Sequence, residues 1–510
     1  MDFATALFSE WGVGMKKTTY YIGLDVGTSG CKASVVDAKG NVLVTARREY
    51  HFEYPGKGMV ELNPNTVWAC VKETLCEIGK SGYEVRKMSV SSIGEAMVMI
   101  DDQDRVIRNG ITYLDERGPE TVDYICSKIS GEEMKKITGL PPRLFYSLNR
   151  LVWMQEHEKE SLERAKYYFL FGDYITYQLT GARMIDTSAA SKTWMLDTST
   201  LDWSKRIGET FGVPLDRFPK VVATGTNAGS IRPEIAQETG LPEELEVLVG
   251  CHDQCAAALG AGCVGRGYMV AGEGSTESLN LIVGKEDITE KFYQSDICLE
   301  PYVIPGTYMI PIGQHSHGTS IRWFVKELWT DLKESDGKSV YELANEQCAA
   351  DAGEIYFLPY LSRANLMDPE NRSLGLFIGI EHESNRQKMY RALLEGLCYE
   401  TRFCFDILDE TGFPVERITA AGGCSKSELF MQMKADVLQK NIAILENADA
   451  GIAALAMICA VADGVYESYR DAEEVFVRTK REYTPKSNYT EKYEKFLLVR
   501  EAAKQLYKVI

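Results

Sequence analysis

Hydrophobic positions near the start of the chain predict a β-hairpin. An apolar run, Tyr20–Val26, leads into a turn of Gly, Thr and Ser at residues 27–30, and a second run rich in Val and Ala follows at residues 32–36. A strand, a short turn and a return strand are typical of a hairpin. Glycines in such a turn let an anion approach the backbone N–H groups without a Cβ in the way.

A second hairpin of the same kind is predicted in the other half of the chain. Its strands are at residues 267–271 and 279–283, and its turn, residues 272–276, again consists largely of Gly, Ser and Thr. Two such units suggest two related domains, each of which presents a phosphate-binding turn to one cleft. An ordinary glycine-rich turn remains the alternative for either hairpin.

Two other nucleotide-binding patterns are poorly matched. The tripeptides at residues 79–81 and 337–339 end like a P-loop, but neither has the earlier Gly that the P-loop pattern requires. No predicted strand is followed by a full G-x-G-x-x-G, so a dinucleotide-binding fold is a weak alternative.

The rest of the pattern alternates strands with helices and predicts two domains. Strands are predicted at residues 41–46, 87–92, 96–101, 247–250 and 417–420, and helices at 65–80, across most of 119–182, and at 255–260, 385–410 and 451–462. A chain of 510 residues is too long for one core. We expect an N-terminal extension without predicted order at residues 1–18, domains at 19–262 and 263–482, and a C-terminal helix at 483–510.

Composition narrows the class of protein. A hydrophobic content of 45% and a charged content of 25% are those of an ordinary globular protein, and the net charge of −18 argues against nucleic-acid and membrane partners. Thirteen scattered cysteines predict reduced thiols and a cytoplasmic location. Cys251 and Cys255 flank a His but lack the second pair of a zinc site. A homodimer remains open.

Several segments, taken together and in order, resemble the FGGY carbohydrate kinase family from Tyr20 to about Glu482. The matching segments are residues 25–29, 113–117, 145–153, 173–181, 186–191, 375–396 and 421–436. The sequence departs from the family at Tyr113, where Trp is usual, and at Arg150, where Lys is usual. Each segment alone is weak evidence for the family. The resemblance depends on the occurrence of all of them in the family's order.

The resemblance implies an α/β fold of two ribonuclease-H-like domains, of the actin/hexokinase superfamily, that flank a cleft for ATP and a sugar. It implies phosphorylation of a sugar or polyol hydroxyl by ATP with Mg²⁺, with Asp253 as the catalytic base. Independently, a carboxylate where a strand meets a helix lies at the edge where α/β sheets gather ligands. The alternative for Asp253 is a helix N-cap.

The resemblance also assigns cofactor contacts. The expected phosphate- and nucleoside-binding residues are Gly27, Thr28, Ser29, Gly274, Ser275, Thr276, Gly422, Gly423 and Ser425. Asp25 and Asp253 would hold Mg²⁺. A tight strand-to-helix turn fits residues 422–423 equally well. Glu273 departs from the usual turn, and the sequence assigns it no role.

The acceptor site departs most from well-known members of the family. We expect Glu95, Asp115, Asp253 and Gln254 to line a pocket for hydroxyl groups, because carboxylates and amides bind vicinal diols. Asp253-Gln254 matches the Asp-Gln pair of glycerol kinases. Gly94, however, stands where those enzymes have Arg, which disfavours a strict glycerol kinase. A ketopentose such as D-xylulose is the best single prediction.

Other functions stay open. The chain could be a kinase for another ketose, a polyol or an aldonate. It could also be an inactive actin-like protein that binds sugar or nucleotide, or, less favourably, a chaperone-type ATPase, for which no segment is left to form a peptide-binding domain.

Overall fold

The computed structural model describes residues 19–362, 367–368, 371–446 and 449–509. The predicted extension at residues 1–18 lies outside the described residues. The first half of the chain contains the strands β1 (Tyr20–Val26), β2 (Gly30–Asp37), β3 (Val42–Glu49), β4 (Glu61–Leu62), β5 (Val85–Ser92), β6 (Met97–Ile100), β7 (Gly110–Ile111), β8 (Tyr167–Leu170), β9 (Met184–Asp186), β10 (Leu196–Asp197), β11 (Asp202–Trp203), β12 (Lys220–Val222), β13 (Asn227–Ser230) and β14 (Glu246–His252). Its helices are α1 (Pro64–Gly79), α2 (Glu120–Lys128), α3 (Gly131–Thr138), α4 (Ser147–His157), α5 (Lys159–Arg164), α6 (Phe171–Thr180), α7 (Thr187–Ser191), α8 (Lys205–Phe211), α9 (Pro233–Thr239) and α10 (Asp253–Gly260).

The second half contains the strands β15 (Tyr268–Glu273), β16 (Glu277–Gly284), β17 (Glu300–Pro301), β18 (Thr307–Gln314), β19 (Tyr356–Leu358), β20 (Leu376–Ile378), β21 (Arg417–Ala421), β22 (Ile442–Leu445) and β23 (Thr479–Tyr483). Its helices are α11 (Glu290–Tyr293), α12 (Gly318–Trp323), α13 (Val340–Glu346), α14 (Arg386–Thr411), α15 (Glu428–Leu438), α16 (Ala450–Ala462), α17 (Tyr469–Phe476) and α18 (Thr490–Leu506). We call β1 to α10 the first lobe and β15 to α18 the second lobe. None of the described helices is long and apolar enough to cross a membrane.

The two lobes are built on sheets with the same core pattern. The first sheet has the order β13-β14-β5-β1-β2-β3, and the second has β17-β18-β16-β15-β21-β22-β23. In each, a central strand pairs antiparallel with the next strand of its hairpin and parallel with a later strand: β1 with β2 and β5, and β15 with β16 and β21. Both predicted hairpins are therefore confirmed, at equivalent places in the two sheets.

The predicted long helices are also confirmed. Asn63 accepts hydrogen bonds from the first amides of α1, and Pro64 occupies the first turn, where a missing N–H costs nothing. Gly412 ends α14 with a φ of 85°, a left-handed conformation that suits glycine. The region 119–182 is largely helical as predicted, but it also contains β8, which the helical spacing of its apolar residues did not reveal.

A shared apolar core joins the lobes. Helix α16 belongs to the second lobe by sequence, yet it packs against β1 and β5 of the first sheet and crosses α10. Beyond its C-terminal end, Asp463 accepts a hydrogen bond from Tyr21 Oη at 3.1 Å and pairs with Arg86 at 3.2 Å. The two helices thus form the joint at the base of the cleft between the lobes.

Gly260 makes this joint possible, because a Cβ there would lie 1.7 Å from the carbonyl oxygen of Ala450. We expect Gly260→Ala to separate α10 from α16 and to lower the free energy of unfolding by about 1–3 kcal/mol, the usual cost of overpacking. Chemical denaturation measures this change. The matched control is Gly451→Ala on α16, since a Cβ at Gly451 has no neighbour within 4 Å. Equal stability of the two variants would contradict the close crossing.

Candidate active site

A cavity of about 420 Å³, which we call the acceptor cavity, lies between the lobes. Its lining includes five of the residues predicted to bind the acceptor or phosphate, namely Thr28, Glu95, Asp253, Gln254 and Thr276. Thr28 belongs to the turn of the first hairpin and Thr276 to the turn of the second. The two turns therefore converge on one cavity, with Asp253 beside them.

Each turn is held by hydrogen bonds to its carbonyl groups. In the first turn, Tyr50 Oη donates to the carbonyl oxygen of Gly27 at 2.7 Å, and the Tyr50 amide donates to that of Ser29 at 3.1 Å. In the second, the amides of His317 and Thr319, at the start of α12, donate to the Ser275 carbonyl at 3.2 and 3.1 Å. With carbonyl groups engaged in this way, turn amides are suited to face an anion.

A second cavity of about 700 Å³, the nucleotide cavity, adjoins the same turn of the second lobe. Gly274 and Ser275 line it together with Gly423, as the sequence predicts. Arg322 also lines it and donates to Ser275 Oγ at 3.1 Å. The prediction missed Arg322 because nothing in its local sequence marks it as a residue of this cavity.

The glycine-rich turn after β21 has a structural requirement of its own. Gly422 has a φ of 120°, and a Cβ there would lie 2.7 Å from the carbonyl oxygen of Glu273, so this glycine allows β21 to pass close to the second hairpin. Ser425 donates to the Gly422 carbonyl at 2.7 Å and closes the turn. Gly423 lines the nucleotide cavity. Gly422 and Ser425 are not among its described lining residues and instead stabilise the turn that contains Gly423.

Asp253 is the first residue of α10 and follows β14 directly, at the end of the strand. The N-cap position is His252, so the alternative role of Asp253 as the helix cap is not observed. Burial raises the pKa of Asp253 to about 7, and the negative charges of Asp25 and Glu95 add to the rise. A carboxyl group with this pKa can take up a proton near neutral pH.

Asp25 lies close enough to Asp253 for the charges of the two carboxylates to interact. It faces Lys32 across the first hairpin and accepts a hydrogen bond from Ser91 Oγ at 2.7 Å. Burial raises the pKa of Asp25, while Ser91 and Lys32 oppose the rise. Two carboxylates that interact electrostatically form an oxygen-rich, negative setting that fits a hard divalent ion such as Mg²⁺.

Glu95 lies in a strained turn on the cavity wall, with a φ of 22° and its carbonyl held by Ser147 Oγ at 2.6 Å. Burial raises its pKa to about 7, which Lys192 opposes and Glu300 reinforces. Lys192 lies 3.8 Å from Glu95 and forms a buried ion pair with Glu300 of β17. Because β17 belongs to the second sheet, this ion pair connects the lobes across the cavity.

Gln254 is oriented by the second lobe. Its Oε1 accepts hydrogen bonds from Ser278 Oγ at 3.2 Å and from Asn280 Nδ2 at 3.1 Å. These contacts leave the amide nitrogen of Gln254 as the group available to a ligand in the acceptor cavity.

Asp115 requires a correction, because its carboxylate is fully buried and is not among the residues that line the acceptor cavity in the described part of the chain. It accepts from the Val60 amide at 2.7 Å and from the Arg117 guanidinium at 2.7 Å. Burial opposes its ionisation, but Arg117 and the Val60 amide outweigh burial and lower its pKa. Its role is to hold the loop whose Tyr113 reaches the cavity.

The sequence assigned no role to Glu273. Its side chain faces neither solvent nor the acceptor cavity. Its carboxylate is fully buried beneath the second turn, where it lies 2.7 Å from His317 Nε2 and pairs with Lys434. Lys434 also pairs with Glu277, the partner of Glu273 across the hairpin. Burial opposes the charge on Glu273, but Lys434 and His317 outweigh it and lower its pKa. A single lysine of α15 thus pairs with both strands of the second hairpin.

The comparisons with known proteins agree with this architecture. Models of the FGGY family of carbohydrate kinases match residues 20–260, as its N-terminal domain, and residues 275–462, as its C-terminal domain. The chain is 25% identical over 480 residues to a xylulose kinase of Bacillus subtilis (strain 168), covering 93% of this chain and 94% of that protein. It is 27% identical over 489 residues to a gluconokinase of the same strain, with the same coverage of 93% and 94%.

Solved structures share the fold. A xylulose kinase from Rhodospirillum rubrum superposes with a TM-score of 0.86 at 24% identity, covering 97% of this chain and 99% of that one. A Plasmodium falciparum glycerol kinase with ADP superposes with a TM-score of 0.84 at 17% identity, covering 96% and 98%. The predicted two-domain α/β fold is thereby confirmed.

Proposed function

Because this chain belongs to the FGGY family of carbohydrate kinases and phosphorylates a sugar or polyol hydroxyl with ATP, we propose that its acceptor is a neutral ketose, with D-xylulose the first candidate. The observation that carries the proposal is the composition of the acceptor cavity, where Asp253 lies between the two phosphate-binding turns and acidic groups outnumber basic ones.

Charge in the cavity argues for a neutral acceptor. Five carboxyl groups line it, against one arginine and one lysine: Glu95, Asp253, Glu277, Asp296 and Glu300 against Arg143 and Lys192. Lys192 is already paired with Glu300 and lies near Glu95, so little of its charge remains for a ligand. The carboxylate of an aldonate would meet net negative charge in a confined space, which is unfavourable. Hydroxyl groups, in contrast, can donate to these carboxylates.

The proposed roles follow from position. Asp253 accepts the proton of the attacking hydroxyl, and Glu95 and Gln254 orient the acceptor. Thr28 and Thr276 face the transferred phosphoryl group, and Gly274, Ser275 and Gly423 face the rest of the nucleotide. Phosphoryl transfer needs this combination of in-line positioning, a proton acceptor and charge neutralisation.

Asp25 and Asp253 would hold Mg²⁺, consistent with their mutual proximity and oxygen ligands. The ion supplies positive charge that neutralises the phosphate oxygens. The protein itself contributes the backbone amides of the two turns.

A substrate panel tests the acceptor class. Purified protein with ATP and Mg²⁺ is assayed for ADP release with D-xylulose, other ketoses, polyols, glycerol and D-gluconate. We expect kcat/KM for a ketose to exceed that for D-gluconate by at least about tenfold, the equivalent of roughly 1.4 kcal/mol of discrimination. If D-gluconate were the best acceptor, the proposal that the negative charge of the cavity excludes an aldonate would be wrong. If only glycerol were turned over strongly, the proposal that the cavity accepts a ketose would be wrong.

Glu95→Gln tests the contact with the acceptor. We expect it to raise KM for the sugar by about tenfold, because one good hydrogen bond to a charged group is lost, and to leave KM for ATP unchanged. Initial rates at varied sugar and ATP measure both constants. Glu160→Gln, on the exposed face of α5, is the matched control. A change in the KM for ATP alone would contradict the assignment of Glu95 to the acceptor.

A further inference from the structure

His252 lies between two carboxylates on the wall of the acceptor cavity. Its Nε2 is 3.1 Å from Asp253 Oδ1, and its Nδ1 is 3.7 Å from Glu300 Oε2. Both Nδ1 and Oε2 are buried, and within the described part of the chain neither has a hydrogen-bond partner. Two such atoms facing each other are unusual, because buried polar atoms nearly always have a partner.

The contacts of the imidazole on its two sides explain why the gap persists. The 3.7 Å separation of Nδ1 and Glu300 Oε2 is longer than a hydrogen bond. With Asp253 at hydrogen-bond distance from Nε2, that nitrogen is the donor, and Nδ1 presents a lone pair. Nδ1 and Glu300 Oε2 are then two acceptors that face one another and need a positive or donating group between them.

A third ligand atom completes the group. The sulfur of Cys255, one turn along α10, lies with Nδ1 and Oε2 in a cluster whose atoms are all within 4.8 Å of one another, and all three residues are buried. Zinc bonds of roughly 2.0–2.3 Å to N, O and S place ligand atoms about 3.3–3.8 Å apart in a tetrahedron. The 3.7 Å separation of Nδ1 and Oε2 is within a few tenths of an ångström of the roughly 3.3–3.5 Å expected between an N and an O ligand.

We propose that His252, Cys255 and Glu300 form a binding site for a single zinc ion, with the fourth position open to the acceptor cavity. Asp253 on the far nitrogen of His252 is the carboxylate that typically orients a metal-binding imidazole. His252 and Glu300 both line the cavity, which provides the path of entry. Imidazole, thiolate and carboxylate together are ligands that suit Zn²⁺.

Binding has a defined proton balance and a defined cost. A cysteine binds zinc as the thiolate, so the S–H bond of Cys255 breaks as the S–Zn bond forms, and the proton leaves to solvent. Affinity should therefore increase with pH. Lys192, which pairs with the other oxygen of Glu300, repels the ion and weakens the site, and Glu95 on the far side of Lys192 partly offsets that repulsion.

The consequence for the kinase is inhibition. Zinc on Nδ1 fixes the ring that contacts Asp253 and places a cation and its open ligand position inside the acceptor cavity. The acceptor hydroxyl then competes with the ion for space beside the base.

Equilibrium dialysis against Zn²⁺ followed by metal analysis tests the site without an activity assay. We expect about one zinc per wild-type chain, binding at least about tenfold weaker in Cys255→Ala, and unchanged binding in Cys263→Ala, a buried cysteine outside the cluster. Wild-type protein loaded with Co²⁺ should show a thiolate-to-cobalt absorption band that Cys255→Ala lacks. Zinc should also raise the Tm of the wild type.

Two outcomes overturn the proposal. If the wild type retains no zinc, or if Cys255→Ala binds it as tightly, His252, Cys255 and Glu300 form no zinc site, and His252 instead donates its proton directly to Glu300. If zinc inhibits the wild type and Cys255→Ala equally, the inhibition arises by displacement of Mg²⁺ elsewhere. Glu300→Gln gives a second variant that removes one ligand, in case the alanine variant does not fold.

Discussion

Replacing Asp253 by Asn is expected to lower kcat by about 10²–10⁴-fold, the usual contribution of a general base. The amide keeps the shape of the side chain but cannot accept the proton of the acceptor hydroxyl. Because Asp253 does not line the nucleotide cavity, ATP should still bind. Turnover is followed as ADP release, and nucleotide binding by calorimetry.

The pH dependence provides a second measure of the same group. Since burial, Asp25 and Glu95 raise the pKa of Asp253 to about 7, the proton-accepting form accumulates as pH rises through that value. For the wild type, kcat/KM should increase from acidic pH and level off above neutrality. Asp253→Asn should lack this rise of kcat/KM with pH, whereas Asp102→Asn, on an exposed turn, should retain it. Full activity of Asp253→Asn would show that Asp253 is not the catalytic base.

The hairpins and Asp253 could be predicted because their signals are local. A strand, a turn of Gly, Ser and Thr and a return strand occupy about 17 consecutive residues in each lobe, and backbone geometry alone requires those residue types. The position of Asp253 follows from a buried strand that runs directly into an Ala-rich helix. Such features need no knowledge of distant contacts.

The charged groups around the site could not be predicted in this way. Lys192 pairs with Glu300 at a separation of 108 residues, and Lys434 pairs with Glu273 at a separation of 161. Neither pair leaves a local pattern. The prediction that Asp115 lines the acceptor pocket was wrong for the same reason. Its partner Val60 is 55 residues away, and its burial depends on the packing of a loop. The sequence shows that His252 precedes Asp253, but it does not show that Glu300 of β17 lies on the other side of the imidazole.

Lys434→Met is expected to lower the free energy of unfolding by about 3–5 kcal/mol, the cost of leaving a buried charge without its partner. Glu273 and Glu277 are both fully buried beneath the second turn, and Lys434 is the shared counter-charge of both. Methionine fills the space of the lysine stem but supplies no charge. The stems of the hairpin should separate, and KM for ATP should rise because Ser275 and Thr276 lose their support. Chemical denaturation and initial rates measure the two effects.

The control separates charge from volume. Lys333→Met, at an exposed position, should change neither stability nor KM. The triple variant with Glu273→Gln, Glu277→Gln and Lys434→Met removes the unpaired charges and should recover most of the lost stability, because a buried ionic group can often be replaced by neutral side chains of similar volume. If the triple variant were no more stable than Lys434→Met alone, packing of the lysine stem rather than its charge would hold the second hairpin in place.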